Sequence, residues 1–259
     1  MQNEAVTRLA IFLALFGLFA LLEWLFPSQT RVQPRSGRWA TNLLMTALNA
    51  IALRAANLAL PFLAIGAAID AWSHGWGLLN NVAWPLWVEV AMALLVLDFA
   101  IWAQHVVTHK VPVLWRFHRM HHSDRDMDVS TALRFHPAEI LVSMGLKIAL
   151  VYALGPQALA VLVFEILLNG TAMFNHANLA LPRWLDTVLR LVIVTPGMHR
   201  IHHSTRREEH DSNYGFALSI WDRIFGTYRK AELSELVVGL EWQDDKPAKL
   251  GWCLWLPLR

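Results

Sequence analysis

Apolar residues fall in long runs separated by short polar segments. The first run covers residues 9–22, passes Glu23 and stops at Pro27. As a helix it spans roughly 27 Å at about 1.5 Å per residue, close to the hydrocarbon thickness of a bilayer. A cleaved signal peptide is the competing reading. Glu4 ahead of the run and the lack of a small-residue cleavage site after it count against that. A second apolar stretch, 39–69, is interrupted by Arg54, and a third covers 86–107. Two shorter runs, 140–154 and 157–174, flank Gly155-Pro156, a turn signal that predicts a helical hairpin. The shorter run reaches only about 22 Å as a helix, so the hairpin reads as a full crossing or a re-entrant pair. From Pro182 onward the chain is mixed and charged and predicts a cap. The pattern predicts an all-α fold: an integral-membrane bundle of about 4–5 embedded helices with a helical cap, its N-terminal membrane helices within 9–69.

Composition sharpens this picture. The 259 residues suit a single domain, and with 56% hydrophobic and 16% charged residues the charge falls well short of the roughly 25% usual in soluble domains. Thirteen tryptophans suit membrane–water interfaces. A net charge of +2 gives no reason to expect nucleic acid. The single cysteine, Cys253, excludes an intrachain disulfide and reads as a buried small residue. Arg31, Arg35 and Arg38 follow the first run, whereas residues 70–85 contain no Lys or Arg. Cytoplasmic loops are enriched in these cations. The first loop is therefore placed in the cytoplasm and 70–85 outside, which returns the ends of the later runs to the cytoplasmic side.

Those ends carry most of the twelve histidines. His105 and His109 are one helical turn apart. His118, His121 and His122 share a face in the same way, as do His199, His202 and His203. The last two sets repeat the pattern H-R-x-H-H-S. Imidazole suits Zn, Cu, Fe and Ni. Eight such residues exceed what one ion needs, so two ions are the simplest account. His176, at the predicted return of the hairpin, reads as a ninth ligand. His136 reads as a ligand, as a partner of one, or as a structural cap. His74 and His210 read as solvated. Asp98 lies within a span on the face of His105 and is read as the carboxylate that holds a ligand imidazole, with a structural ion pair as the alternative. Arg54 and Glu165 read as cavity-lining residues or as each other's partner. Trp102 and Trp115 read as packing or interface anchors.

This histidine set resembles the eight-histidine signature of the fatty acid hydroxylase/sterol desaturase superfamily. Residues 130–137 (Ser-Thr-Ala-Leu-Arg-Phe-His-Pro), 211–215 (Asp-Ser-Asn-Tyr-Gly) and 220–227 (Ile-Trp-Asp-Arg-Ile-Phe-Gly-Thr) look like its flanking segments. The resemblance covers residues 95–228, about half of the chain, and a catalytic region of about 95–230 in a single membrane-bound domain, 1–259, follows from it. It implies two iron ions, or zinc as purified, held by His105, His109, His118, His121, His122, His176, His199, His202 and His203. It also implies dioxygen as co-substrate and hydroxylation or desaturation of a membrane lipid, whether fatty acyl, sterol, ether-lipid or carotenoid-like. Some relatives carry another histidine four residues after His176; Ala180 stands there in this chain. No flavin, haem or nucleotide fingerprint is visible, so a separate electron donor is expected: a ferredoxin, a cytochrome b5-like protein or a reductase. Arg116, Arg119, Arg125, Arg200, Arg206 and Arg207 read as its docking surface, as lipid-headgroup contacts or as positive-inside anchors. The expected location is a bacterial inner membrane with the site at the cytoplasmic face.

Two rival readings use the same histidines. A membrane zinc hydrolase would normally place a glutamate base among its ligands, and none lies inside the three sets. A metal transporter would place ligands near the bilayer midplane, whereas these sit at the ends of the runs. A scaffold without activity leaves the repeated spacing unexplained.

Overall fold

A computed structural model describes residues 2–59, 63–242 and 246–259. Among them the chain is helical with isolated β-bridges and no strand. The long helices are α1 (Gln2–Leu25), α2 (Arg35–Ala59), α3 (Ala64–Ser73), α4 (Leu86–Lys110), α5 (Pro112–His122), α6 (Pro137–Leu154) and α7 (Ala158–His176). Short helices α8 (Arg183–Leu189), α9 (Pro196–His202), α10 (Arg207–His210), α11 (Ile220–Ile224) and α12 (Leu250–Trp255) build the cap.

Among the described residues, four helical segments are long and apolar enough to cross a membrane: Val6–Leu25, Leu86–Lys110, Pro137–Leu154 and Ala158–His176. α6 starts before its apolar run and α7 ends after its own, so 18 and 19 residues reach roughly 27–28 Å. That removes the length argument for a re-entrant pair. The 39–69 stretch is not one span: it divides into α2 and α3 around residues 60–62, which lie outside the described ones. Large apolar side chains such as Leu9, Leu13, Leu58, Leu95, Val142 and Leu159 are exposed, as a lipid-facing surface requires.

Proline and glycine set the corners. Val111 precedes Pro112 and leaves the helical region (φ −93°, ψ 114°), so the chain turns sharply between α4 and α5. Pro137 and Pro196 start α6 and α9, where a missing N–H costs nothing. Gly155 ends α6 at φ 63°, and a Cβ there would lie 2.4 Å from the Trp76 carbonyl oxygen. At that hairpin tip Leu78 N donates to Ala153 O (3.1 Å) and Tyr152 Oη to Asp70 Oδ2 (2.8 Å). Residues 70–85 and the tip therefore share one end of the bundle. The histidine-bearing ends of α4, α6 and α7 lie at the other.

Apolar packing joins these helices. Phe12, Leu15, Phe16 and Phe19 of α1 pack on Ala172 and Met173 of α7. Ala64, Ala67 and Ala68 let α3 approach Val151 and Val161 closely. Near the histidines the packing becomes polar. Arg38 grips Asp124 through both Nε (2.6 Å) and Nη2 (2.7 Å) and reaches Asp128 through Nη1 (2.8 Å), all fully buried. Cys253 is buried as expected, with its sulfur 3.1 Å from Arg134 Nη2.

Candidate metal centre

The turn at Val111-Pro112 aims the C-terminal end of α4 and the face of α5 at one space, and α7 and α9 close it. Nine buried imidazoles meet there in two groups. His105, His109, His118, His122 and His202 form one, and His121, His176, His199 and His203 the other. They are the nine that the sequence spacing and the resemblance single out. α5 supplies both groups: His118 and His122 to the first, His121 to the second.

The ring orientations are fixed by acceptors. Nδ1 of His105 donates to Tyr214 O (2.7 Å), of His202 to Ser212 O (2.7 Å), of His121 to Arg134 O (3.1 Å) and of His176 to Ala172 O (2.7 Å). Nδ1 of His118 meets Glu139 Oε1 at 2.6 Å. A carbonyl or carboxylate can only accept, so the proton sits on Nδ1 and each Nε2 carries a bare lone pair. These lone pairs face one another. His105 Nε2 lies 3.0 Å from both His118 Nε2 and His202 Nε2, and His176 Nε2 lies 3.1 Å from both His121 Nε2 and His199 Nε2. Converging lone pairs without protons repel unless a cation sits between them. Two nitrogens each about 2.1 Å from one ion and 90° apart lie about 3.0 Å from each other. His109, His122 and His203 add buried ring nitrogens with no hydrogen-bond partner. The donor set therefore fits two metal ions.

Electrostatics agree. Burial first, then the surrounding structure with its neighbouring imidazoles, holds His121, His122, His199, His202 and His203 well below the ordinary histidine range. Neutral imidazole is the ligand form. Beside the site, Asp124 is pushed up by burial but pulled down further by Arg38 and Arg134, and it stays charged.

Two expected partners lie elsewhere. Asp98 accepts from Trp221 Nε1 (2.8 Å) and Leu218 N (3.3 Å), so it pins the cap to α4 and holds no imidazole. Facing His105 along a helix left its distance from the ring nitrogens undetermined, and the cap claimed it. His136 belongs to neither group; its Nδ1 accepts from Ala138 N (3.1 Å) and caps α6. Glu165 pairs with Lys147 (2.8 Å) and Arg8 (2.6 Å) rather than with Arg54. Arg200 is buried against Gln29 Oε1 and Asn178 Oδ1 (each 3.1 Å), which removes it from a docking surface. Ala180 lies beyond the end of α7, exposed, with its N–H on Phe26 O (2.8 Å).

The sequence reading missed Glu139 and misread His210. Glu139 stands in the first turn of α6 beside a ligand segment, a weak signal. His210 is no plain solvated residue: it stacks on Trp115 (5.3 Å, 14°), and its ring nitrogen and an Asp211 oxygen lie within 4.8 Å of a His109 ring nitrogen. The 211–215 segment acquires a physical role. Asn213 takes φ 52°, a left-handed position that Asn tolerates, and the flanking carbonyls of Ser212 and Tyr214 reach His202 and His105. Asp222 holds that turn by accepting from Tyr214 N and Gly215 N, both 2.8 Å.

A cavity of about 380 Å³ opens onto the site. His105, His118, Phe135 and Glu139 stand at its metal end, and Phe12, Leu53, Ile101, Met144 and Leu168 supply apolar wall.

The sequence profile of the family described as Fatty acid hydroxylase matches residues 90–227. The chain is 29% identical over 224 residues to ornithine lipid hydroxylase OlsE of Rhizobium tropici, covering 84% of this chain and 66% of that protein. It is 35% identical over 166 residues to alkylglycerol monooxygenase of Homo sapiens, covering 62% of this chain and 35% of the relative. A cholesterol 25-hydroxylase-like protein of Danio rerio is 30% identical over 149 residues, 57% of this chain and 56% of that one. The chain thus spans less than two thirds of the length of each of these relatives. No solved structure matches it. With the profile covering more than half of the chain and all nine clustered histidines inside it, this chain belongs to the fatty acid hydroxylase family.

Proposed function

We propose that the chain is a dioxygen-dependent di-iron enzyme that hydroxylates or desaturates a membrane lipid. The observation that carries this reading is the pair of converging imidazole groups at the end of a cavity formed among membrane-length helices. Bound iron supplies the dioxygen-dependent removal of hydrogen from an unactivated C–H bond. The nine histidines hold the ions, and the carbonyls of Arg134, Ala172, Ser212 and Tyr214 with the carboxylate of Glu139 keep the rings in the ligating tautomer. The apolar walls exclude water and align a lipid chain. The imidazole donors of His105, His118, His121 and His176 suit iron among the first-row metals, and iron is the metal proposed. The relatives' names point to ornithine lipid, alkylglycerol and cholesterol, all amphiphiles, and a lipid of that kind is proposed here.

Arg31, Arg35 and Arg38 lie at the histidine end and the Lys- and Arg-free 70–85 segment at the other, which supports a cytoplasmic site, proposed to lie in a bacterial inner membrane. Electrons are proposed to come from a separate ferredoxin, cytochrome b5-like protein or reductase. The test is metal analysis joined to lipidomics. About two irons per chain are expected, with an oxygen-dependent lipid product that disappears in His121→Ala while the protein still folds. Stoichiometric zinc after iron-replete expression, with an unchanged lipid profile, would favour a hydrolase instead.

A further inference from the structure

Two buried hydrogen-bond acceptors in this cavity have no partner among the described residues. Asn49 is 8% exposed and lines this wall. Its Nδ2 donates to Phe135 O (3.1 Å), which fixes the orientation of the amide, and its Oδ1 is left buried with no partner. Glu139 lines the same cavity. Its Oε1 receives His118 Nδ1, and its Oε2 is buried with no partner. Four polar neighbours already donate elsewhere. Ser143 donates to Gln104 Oε1 (3.2 Å), Thr108 to Gln104 O (2.7 Å), Thr46 to Asn42 O (3.0 Å) and Lys147 to Glu165. A buried acceptor left unpaired is costly, and few persist without a reason.

We propose that Asn49 Oδ1 and Glu139 Oε2 form a subsite for a hydrogen-bond-donor group of the lipid, a hydroxyl or an ammonium. Esters, ethers and bare hydrocarbon carry no donor and leave both oxygens unpaired. A hydroxyl pairs with either oxygen, and an ammonium adds charge assistance at the Glu139 carboxylate. Because Glu139 also holds His118, the subsite lies next to the ligand cage. The oxidised C–H is then near the polar end of the substrate, and the hydrocarbon tail extends along Leu53, Met144 and Leu168. This inference rests on the cavity being the substrate site.

The test measures binding of dodecanol, dodecylamine and dodecyl methyl ether to the metal-loaded protein in nanodiscs, by displacement of tritiated dodecanol. Wild type is expected to bind the alcohol or the amine about tenfold more tightly than the ether. A preference for the amine over the alcohol identifies ammonium as the favoured donor; the reverse identifies hydroxyl. Asn49→Leu is expected to erase most of that preference. Glu139→Gln replaces one acceptor by a donor and is expected to tilt binding toward the ether and away from the amine. Equal binding of all three probes to wild type overturns the proposal, since water would then satisfy both oxygens, and this result does not depend on any variant folding. Leu53→Trp, which fills the cavity, separates the two levels. Unchanged lipid oxidation in this variant defeats the cavity reading itself, whereas lost oxidation with equal probe binding defeats only the donor subsite.

Discussion

Two carboxylates near the histidines have opposite assignments, and single substitutions separate them. Glu139 holds His118 through Nδ1 at 2.6 Å, whereas Asp98 accepts from Trp221 and Leu218. Partners that orient a ligand imidazole typically contribute 10–100-fold in metal affinity. Glu139→Leu is expected to weaken metal affinity by about that factor, read as metal retained against a competing chelator. Trp221→Phe leaves part of a buried carboxylate unpaired and is expected to cost about 1–3 kcal/mol of stability with metal content unchanged. Thermal unfolding and metal analysis of the two purified variants check both; metal loss in Trp221→Phe would restore Asp98 to the cage. Eight of the nine clustered histidines were legible because helical spacing marks residues on a shared face, and His176 from its place at the return of the hairpin and the family resemblance. Their orienting partners were not, because four of the five are backbone carbonyls, which every residue carries.

At the scale of elements, the hairpin and the break at Pro112 were readable from glycine and proline. The division of 39–69 was not, because hydropathy interrupted only at Arg54 does not say where one helix stops and the next starts. The hairpin tip is held by backbone geometry. Gly155 has φ 63°, and a Cβ would collide with the Trp76 carbonyl. Gly155→Val is expected to cost about 1–3 kcal/mol from the left-handed conformation, with the clash in addition. The strain falls at the end of the bundle away from the cage, so the variant should melt earlier yet carry wild-type metal per folded chain. A parallel loss of metal and stability would show that the two ends of α6 and α7 are mechanically coupled.

For the whole molecule, the buried cage makes stability depend on pH. His121, His122, His199, His202 and His203 have folded-state pKa values below the unfolded value of about 6.5. Below that pH the unfolded chain binds more protons than the folded one, so folding weakens as pH falls. Metal-free protein is therefore expected to keep a level Tm above about pH 6.5 and lose it steadily below. Metal-loaded protein should hold its Tm further into acid, until protons displace the ions. Scanning calorimetry of both forms over that window checks this; a flat metal-free profile would mean that the rings are not held neutral by burial. By itself the sequence determined the solvent and the chemistry. Long apolar runs call for lipid and repeated helical spacing of imidazoles calls for metal, because each of these is a local property of the chain. Only the tertiary structure decided how nine histidines divide into five and four, that Asp98 and His136 stand outside the cage and Glu139 against it, and that a cavity meets the cage. Those features depend on which faces of α2, α4, α5, α6 and α7 meet, and that is fixed by packing between residues far apart in the chain.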